Sequence, residues 1–307
     1  MIPRFPDDFI LSSEITQASC LNRPIVALES TVITHGLPYP ENRKLALDME
    51  NEVRSQGAVP ATIAVLDGNV HIGLTADQIE RLAVSQGMCK ISSRDFAVAL
   101  AQCQSGGTTV AGSLVVAHLQ GIRVFATGGI GGVHRQAPFD ISADLMQLAR
   151  TPIIVVCAGA KAILDLPATV EMLETLGVPV VGYQTDYFPA FYSRSSGLKA
   201  NSRVESPEDI VKIAHNHWAM GLQSAVLVTV TPPSEVALPD DIIQTAVQQA
   251  LDDAKVQDIH GQAVTPFLLR RVSDLTQGAS LLVNLALLLN NARIAAQIAR
   301  ALDIEIR

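Results

Sequence analysis

Cysteine is scarce in this sequence. The 307 residues contain four cysteines, and no two of them form a CxxC pair. This spacing argues against a zinc ribbon and against a thioredoxin-like redox site, since both depend on paired cysteines. Cys157 lies within an apolar run, so we predict a small core residue there rather than a reactive thiol.

An excess of positive charge is also absent. The formal net charge is −8 at pH 7, which argues against nonspecific binding to nucleic acid or to an anionic membrane. An anionic small substrate stays possible, because a pocket can be locally positive on an acidic protein. Hydrophobic residues make up 48% and charged residues 17% of the chain, a composition that indicates an ordered globular protein.

Uninterrupted hydrophobic segments of membrane-spanning length are missing as well. The two long uncharged stretches, residues 96–122 and 275–292, are interrupted by Gly, Gln, Ser, Thr and Asn, so we do not expect either to cross a membrane. The N-terminal residues lack the features of a signal peptide. We therefore expect a cytoplasmic protein that acts on a small molecule and binds neither membrane nor nucleic acid.

Apolar runs of strand length alternate with helical patterns along the chain. We predict strands at residues 25–28, 61–66, 70–72, 124–126, 152–160, 178–183 and 225–230. Such alternation indicates a mixed or mainly parallel sheet covered on both faces. Residues 266–302 are predicted to be almost all helix, and residues 193–207, rich in Ser and Arg, are a candidate lid. Without a long linker, we predict a single domain over residues 1–307.

Lys161 is the most informative single residue. It follows the run at residues 152–160, which is short, branched and without alternation, as buried parallel strands are. It therefore lies beyond the carboxyl end of a strand, where open α/β sheets place active sites, and residues 162–166 after it look helical. An apolar pocket would lower the pKa of the amine and leave a neutral nucleophile. The alternative is an ordinary surface lysine at a helix start.

Two glycine-rich segments could bind an anion. Residues 127–132, Thr-Gly-Gly-Ile-Gly-Gly, could expose successive backbone N–H groups, and His134 and Arg135 add positive charge. Residues 106–109, Gly-Gly-Thr-Thr, precede a predicted helix and offer an anion site at its N-terminus. Neither segment matches the P-loop or the dinucleotide-binding pattern, so nucleotide hydrolysis is unsupported. The alternative is that both segments are flexible turns.

Three carboxylates are candidates for acid–base or metal chemistry. Glu29 directly follows the predicted strand at residues 25–28, again at the functional end of a strand. Asp140 and Asp144 are four residues apart, which on a helix would place both on one face. A divalent cation such as Mg²⁺ or Mn²⁺ could relieve their repulsion. The alternative is a capping Asp140 and a solvated Asp144.

Two further polar positions could contact a ligand. Lys90 and Arg94 flank a pair of serines and could either clamp a phosphate or be plain surface charge. Asn284 lies among leucines in a predicted helix, and a buried amide there must find hydrogen-bond partners. Those partners lie either within the protein or on the amide edge of a ligand.

Taken together, these residues resemble the pseudouridine-5′-phosphate glycosidase family. Residues 27–40, Ala-Leu-Glu-Ser-Thr-Val-Ile-Thr-His-Gly-Leu-Pro-Tyr-Pro, resemble the opening signature of that family. The further matching segments are 106–110, 126–135, 139–145, 155–166, 182–185, 265–269 and 284–287. The resemblance implies an α/β class protein with a three-layer α/β/α fold around a mixed, mainly parallel central sheet. It also implies a homotrimer and a divalent metal, usually Mn²⁺.

The resemblance also implies an activity and a set of roles. The activity is reversible cleavage of the C–C glycosidic bond of pseudouridine 5′-phosphate to uracil and ribose 5-phosphate, through a lysine Schiff-base adduct with the opened sugar. By position, Lys161 resembles that lysine, Glu29 the acid–base carboxylate and Asp144 a second acid. The remaining matches are Asp140 for the metal, Asn284 for uracil, Lys90, Thr127, His134 and Ser142 for the phosphate, and Val110 elsewhere in the substrate site. The loop at residues 134–140 is shorter than in the family pattern.

Two other functions would use the same residues. A class I aldolase-like lyase acting on a phosphosugar would also need Lys161 and the phosphate-binding loops, but no residue that contacts uracil. A noncatalytic phosphosugar- or nucleotide-binding regulator would bind its ligand without turnover. Related domains also occur in pigment-biosynthesis proteins, so the substrate could differ from pseudouridine 5′-phosphate.

Overall fold

A computed structural model describes residues 9–135, 137–259 and 261–306. A large sheet forms the centre of the fold and a small antiparallel sheet lies outside it. The strands are β1 (Phe9–Leu11), β2 (Ile25–Leu28), β3 (Val59–Leu66), β4 (Asn69–Ile72), β5 (Cys89–Ile91), β6 (Gly106–Thr108), β7 (Val124–Ala126), β8 (Val133–His134), β9 (Ala137–Ile141), β10 (Ile154–Cys157), β11 (Leu164–Asp165), β12 (Val180–Tyr183), β13 (Ser202–Val204) and β14 (Val226–Val230).

The large sheet is mixed but mainly parallel. Its order is β1-β4-β3-β2-β7-β10-β14-β12-β13, and β6 pairs with β3 and β5. All neighbouring pairs from β3 to β13 are parallel, whereas β4 and β6 are antiparallel to β3. The inner strands β7, β10 and β14 are buried over their whole length, as expected for short apolar strands covered on both faces. The small sheet has the order β11-β8-β9.

Helices connect these strands and cover the sheet. They are α1 (Ser13–Cys20), α2 (Glu41–Ser55), α3 (Ala76–Val84), α4 (Phe96–Ala101), α5 (Val110–Leu119), α6 (Ala143–Leu148), α7 (Leu166–Thr175), α8 (Pro207–Ala219), α9 (Asp240–Val256), α10 (Val264–Leu275) and α11 (Ala279–Ile306). A π-helical turn at Val32–Gly36 and a 3₁₀ turn at Gly261–Ala263 complete the elements.

Two groups of helices pack on the sheet. α11 lies along β2, β7 and β10 and contacts α2 and α8, whereas α5 packs with α6 and against β2 and β3. The predicted three-layer α/β/α fold with a mixed, mainly parallel sheet is confirmed. By length and composition α11 could cross a membrane, but 56% of its most apolar window is buried within the protein. The helix therefore has the character of a core helix.

The chain after Lys161 differs from the prediction. We predict a helical stretch at residues 162–166, but residues 164 and 165 form β11, and α7 starts only after it. The delay has a local cause, because the Asp165 side chain caps α7 by accepting a hydrogen bond from the Ala168 N–H at 3.0 Å. A carboxylate at this position satisfies a donor that the first helical turn leaves unpaired.

Two other segments also depart from the sequence expectation. The predicted helix at residues 266–302 is divided into α10 and α11, because Gln277 and Gly278 between them both have positive φ, which ends a helix. The candidate lid at residues 193–207 contains β13, which pairs parallel with β12. Part of that segment is therefore sheet, and the mobility of the rest stays a prediction.

A buried carboxylate lies between α2 and β3. Thr62 Oγ1 donates to Glu50 Oε1 at 2.7 Å, and Arg54 Nη2 donates to Glu50 Oε2 at 3.1 Å. Burial raises the pKa of Glu50 above its ordinary value of 4.5, and the Thr62 and Arg54 contacts only partly oppose this shift. Because the folded-state pKa is the higher one, the stability contributed by Glu50 is present at acidic pH and is lost as the pH rises through it.

We expect Glu50→Gln to remove this pH dependence, because glutamine can still accept from Thr62 and carries no charge that burial would disfavour. The free energy of unfolding of the wild type relative to E50Q should fall as the pH rises from about 4.5 and level off above the raised pKa. Urea unfolding at a series of pH values measures this difference. As a control, Thr62→Val should lower stability and retain the pH dependence, with the fall extending to higher pH because the Thr62 contact that opposes the raised pKa is lost. Parallel pH profiles for wild type and E50Q would contradict the assignment.

Candidate active site

A cavity of about 410 Å³ lies at the carboxyl ends of β2, β7 and β10. These strands are parallel neighbours. Glu29 directly follows β2, Thr127 directly follows β7, and Lys161 follows β10 after a short turn. This is where open parallel sheets bind ligands. Of the ten predicted site residues, nine line the cavity: Glu29, Lys90, Val110, His134, Asp140, Ser142, Asp144, Lys161 and Asn284.

Two threonine hydroxyls hold the buried Glu29 carboxylate. Thr127 Oγ1 donates to Oε1 at 2.7 Å, and Thr31 Oγ1 contacts Oε2 and also lies 3.1 Å from Thr108 O. The carboxylate is therefore held in one orientation in the cavity wall. Sequence analysis did not single out Thr31, although it lies within the family signature, two residues after Glu29.

Thr127 is the predicted site residue that the cavity wall does not include. Its side chain is fully buried and its hydroxyl points to Glu29. In this structure the hydroxyl orients the Glu29 carboxylate. The contact of Thr127 with a phosphate stays a prediction.

Asp144 is a buried anion with two backbone partners. Its Oδ1 accepts the Ala111 N–H at 2.9 Å and its Oδ2 accepts the Gly131 N–H at 2.8 Å. Ala111 lies in the first turn of α5, where the helix dipole favours negative charge. At this helix N-terminus, after residues 106–109, the Ala111 N–H is thus taken by the protein's own carboxylate.

Asp140 and Asp144 do not share a helix face. Asp140 lies in β9 with 59% of its side chain exposed. Asp144 lies in α6, behind the N-cap residue Ser142, whose Oγ accepts the Asp144 N–H at 3.2 Å. The prediction of one helix face is wrong because the helix begins between the two residues, although both line the same cavity.

Part of the glycine-rich segment cannot act as an anion nest. The N–H groups of Ile130, Gly131 and Val133 all donate to acceptors within the protein, so they are not available to an anion. Nor is the segment a loosely packed turn, because a Cβ on Gly129 would lie 2.6 Å from the Phe191 ring. The glycines allow this segment to pack closely against its neighbours.

Arg135 points away from the cavity. Its Nε donates to Leu164 O at 3.0 Å, and its Nη2 donates to Ala162 O at 3.1 Å and to Gln244 Oε1 at 3.0 Å. The prediction that Arg135 adds charge to an anion site is therefore wrong. Its guanidinium instead supports the chain that follows Lys161.

The two lysines of the cavity influence one another. Burial lowers the pKa of Lys90, and the charge of Lys161 lowers it further, whereas Asp144 and Glu29 act in the opposite direction. The structure therefore offers two amines next to two buried carboxylates. Lys161 is half-buried and lines the cavity, so it is not an ordinary surface lysine.

The two histidines in the wall are neutral at neutral pH. Burial lowers the pKa of His134 from its ordinary value of 6.5, despite the opposing effect of Asp140. Burial and the charge of Lys90 lower the pKa of His35 in the same way. His134 therefore offers hydrogen bonds rather than a positive charge. Sequence analysis did not single out His35, although it lies within the family signature.

The charged side chains do not make the cavity positive. The wall contains four carboxylates and three cations, namely Glu29, Asp95, Asp140 and Asp144 against Lys90, Arg94 and Lys161. Arg94 is also paired with Asp95, at 3.4 Å. The formal charges of these wall residues therefore sum to −1, three positive against four negative.

Another part of the wall is apolar and comes from α10, α11 and the chain after β12. Asn284 and Leu288, one turn apart on α11, both face the cavity. Phe191, Pro266 and Leu269 line it as well. Apolar surfaces with a single amide suit a flat ring that carries its own amide edge.

A metal ion would have few protein ligands at this site. Within the described ranges, no three His, Cys, Asp or Glu side chains come together as a metal-binding group. Asp140 is exposed in the cavity wall, with His134 Nδ1 at 3.9 Å from its Oδ2. An ion held there would take one carboxylate, water and substrate oxygens, and this mode suits Mg²⁺-like cations.

The sequence is similar to curated glycosidases over almost its whole length. The family described as Indigoidine synthase A like protein matches residues 14–301. The pseudouridine-5′-phosphate glycosidase of Geobacillus kaustophilus is 51% identical over 97% of this chain and 99% of its own. That of Paracoccus denitrificans is 52% identical over 97% of this chain and 99% of its own.

Solved structures show the same fold. The prealnumycin C-glycosynthase AlnA, in complex with ribulose 5-phosphate, matches with a TM-score of 0.90 and 39% identity over 98% of this chain and 99% of its own. An indigoidine synthase A-like protein from Thermotoga maritima matches with a TM-score of 0.89 and 32% identity over 99% of this chain and 100% of its own. The resemblance identified in the sequence is thus confirmed, and the chain belongs to the pseudouridine-5′-phosphate glycosidase family within the Indigoidine synthase A like proteins.

Proposed function

We propose that this enzyme reversibly cleaves the C–C glycosidic bond of pseudouridine 5′-phosphate to uracil and ribose 5-phosphate. The observation that carries the proposal is the presence of Lys161, Glu29 and Asp144 in the wall of one cavity. The names of relatives that share about half of its residues support this substrate. The complex of AlnA with ribulose 5-phosphate supports a phosphosugar in a cavity of this fold.

The wall suggests how the substrate lies. Lys90, His134 and Ser142 can bind the phosphate, since Ser142 Oγ accepts one hydrogen bond from Asp144 N–H and can donate its own hydrogen. Val110, at the first position of α5, lies beside this end. The uracil ring fits the apolar surfaces, with its amide edge at Asn284, because a flat ring with donors and acceptors on its rim needs both.

A carbon leaving group explains why the site needs an amine. N-glycosidases expel a base through nitrogen, but here uracil C5 is bound to C1′ of ribose. Carboxylates alone, as used on O-glycosides, do not make carbon a good leaving group. An amine bound at C1′ can push its lone pair toward that carbon and release uracil as the C–C bond breaks.

The proposed sequence has four balanced steps. Proton removal from uracil N1 and protonation of the ring oxygen open the ribose and leave a C5–C1′ double bond. Lys161 Nζ adds to C1′ as C5 takes a proton. The nitrogen lone pair then forms an iminium at C1′ as the C5–C1′ bond breaks, and its electrons restore the uracil ring, which regains its proton at N1. Water hydrolyses the iminium to ribose 5-phosphate and the free amine.

Glu29 and Asp144 have different roles in these proton transfers. Glu29 has both oxygens on threonine hydroxyls, which can donate to a carboxylate or accept from a carboxylic acid. We assign it the proton transfers at the sugar and base. Asp144 is held by two backbone N–H groups and assists as a fixed second carboxylate near the amine.

Reduction with borohydride in the presence of ribose 5-phosphate should label Lys161. The reagent reduces the iminium to a stable amine, and peptide mass spectrometry locates it. Lys90 is the internal comparison, because its amine lies in the same cavity with a lowered pKa. The Lys161→Ala variant should not be labelled, and its kcat should be lower on the order of 10³-fold or more. A label on Lys90, or near-normal turnover of K161A, would exclude the assignment.

We further propose that Asp140 holds a divalent cation, Mn²⁺ by resemblance, which supplies positive charge near the substrate phosphate. Purified enzyme should release uracil from pseudouridine 5′-phosphate with Mn²⁺, and a chelator should lower the rate. Asp140→Asn should weaken Mn²⁺ binding at least about tenfold, measured by titration calorimetry without substrate. Asp95→Asn, in the same wall, should leave that affinity unchanged. Absence of uracil release under all conditions would favour the regulator or the aldolase-like lyase.

The homotrimer implied by the resemblance also becomes a proposal with a candidate contact. Phe139 in β9 is 98% exposed, and Ile141 and Met146, which follow it in the sequence, are also exposed. Exposed apolar side chains of this kind can mark a protein–protein contact. Light scattering should give three times the 32.7 kDa chain mass, and Phe139→Ser should shift it to smaller species. Val256→Ser, at another exposed apolar position, is the control. A monomeric wild type would exclude the trimer.

A further inference from the structure

A buried amide on α11 lies directly behind the active site. Asn291 is 1% exposed, and its Nδ2 donates to Thr127 O at 2.8 Å and to Gly128 O at 3.3 Å. Among the residues that the structure describes, its Oδ1 has no hydrogen-bond partner. Burying an unpaired acceptor costs free energy, and the two hydrogen bonds from Nδ2 offset part of that cost.

The two carbonyls belong to the turn that orients Glu29. Thr127 lies between β7 and the glycine-rich segment, and its hydroxyl donates to Glu29 Oε1 at 2.7 Å. Gly128 is part of the cavity wall. Its backbone carbonyl also accepts the Ala158 N–H at 2.8 Å, but the carbonyl of Thr127 depends on Asn291. Rotation of that peptide would move the threonine hydroxyl away from the carboxylate.

The same helix face carries a residue that lines the cavity. Asn284 precedes Asn291 by seven residues, which is two helical turns, so both project toward the sheet side of α11. Between them, the Leu287 and Leu288 side chains approach the Gly128 α-carbon so closely that a Cβ there would lie 3.1–3.3 Å from them. Helix and turn are thus held at a fixed separation by packing and by the amide.

We propose that Asn291 is a positioning residue for catalysis, which fixes the Thr127 peptide and through it the orientation of the Glu29 carboxylate. The inference rests on the proposed function, because it takes Glu29 as the acid–base group. Asn291 does not touch the substrate in this scheme. Its loss should therefore change the rate of the chemical steps and leave substrate affinity nearly unchanged.

A double-mutant cycle separates this role from a purely structural one. Asn291→Leu keeps a side chain of similar size but removes both the Nδ2 donor and the unpaired Oδ1 acceptor. Thr127→Val removes only the hydroxyl. Each should lower kcat roughly 10- to 100-fold with KM within about threefold. If both act through the Glu29 carboxylate, the double variant should be no worse than the poorer single variant, because coupled residues are not additive.

Thr62→Val is the matched control for lost stability. It removes a buried threonine hydroxyl that donates a hydrogen bond to Glu50, away from the cavity wall. It should therefore lower the melting temperature and leave kcat unchanged. Combined with Asn291→Leu, it should show independent effects on kcat. Should N291L not fold, Asn291→Ser leaves room for water at the two carbonyls and should show a smaller loss of kcat.

Three results would overturn the proposal. They are a normal kcat for the folded Asn291 variant, a loss confined to KM, and a double variant whose loss equals the product of the single losses. The wild type serves as the separate test of the proposed function. If it releases no uracil, that function and this inference fail together. If the wild type is active but the effects of the two substitutions on kcat are independent, only the proposed role of Asn291 is excluded.

Discussion

Parallel pairing of β2, β7 and β10 places the ends of three strands side by side at one edge of the sheet. The segment after each strand leaves the apolar interior of the sheet at this edge, so polar side chains there can find hydrogen-bond partners. Thr127 and Glu29, 98 residues apart in the sequence, are brought into hydrogen-bond contact in this way. The chemistry of the cavity depends on this pairing more than on any single loop.

The groups around the cavity are held by partners before any ligand arrives. Asp144 connects the first turn of α5 to the glycine-rich segment, and the guanidinium of Arg135 supports the chain that follows Lys161. Fixed dipoles and charges need little rearrangement as a reaction proceeds, and this is why preorganised sites stabilise transition states well. The glycines contribute by close approach, since a side chain on Gly129 would collide with Phe191.

Sequence reasoning located this site through the positions of residues relative to strands. Lys161 and Glu29 were recognisable because buried parallel strands are short apolar runs whose ends can be read directly. The relation of Asp140 to Asp144 was not recognisable, since the helix start at Ser142 divides a spacing that looks helical. The nest was only partly predictable, because composition gives the flexibility of Thr-Gly-Gly-Ile-Gly-Gly but not the acceptors that the Gly131 and Val133 N–H groups meet.

Arg135 and Asn291 illustrate the same limit from two sides. Both side chains donate hydrogen bonds to backbone carbonyls. Arg135 donates to Ala162 and Leu164, and Asn291 donates to Thr127 and Gly128. No pattern in the sequence distinguishes a polar side chain that meets a ligand from one that meets the main chain. Only the folded arrangement decides which carbonyls lie within reach.

The charge of the cavity supports a bound cation on independent grounds. Its wall carries one more carboxylate than cations, and both histidines are neutral because burial lowers the pKa of each. A phosphate monoester adds about −1.5 to −2 at pH 7, and the proposed attack on C1′ needs an uncharged amine. In the proposed reaction, phosphate binding and nucleophilic attack therefore both increase the negative charge of the site. A divalent cation at Asp140 would offset that charge where the wall is open to solvent, without requiring a protein-built cage of ligands.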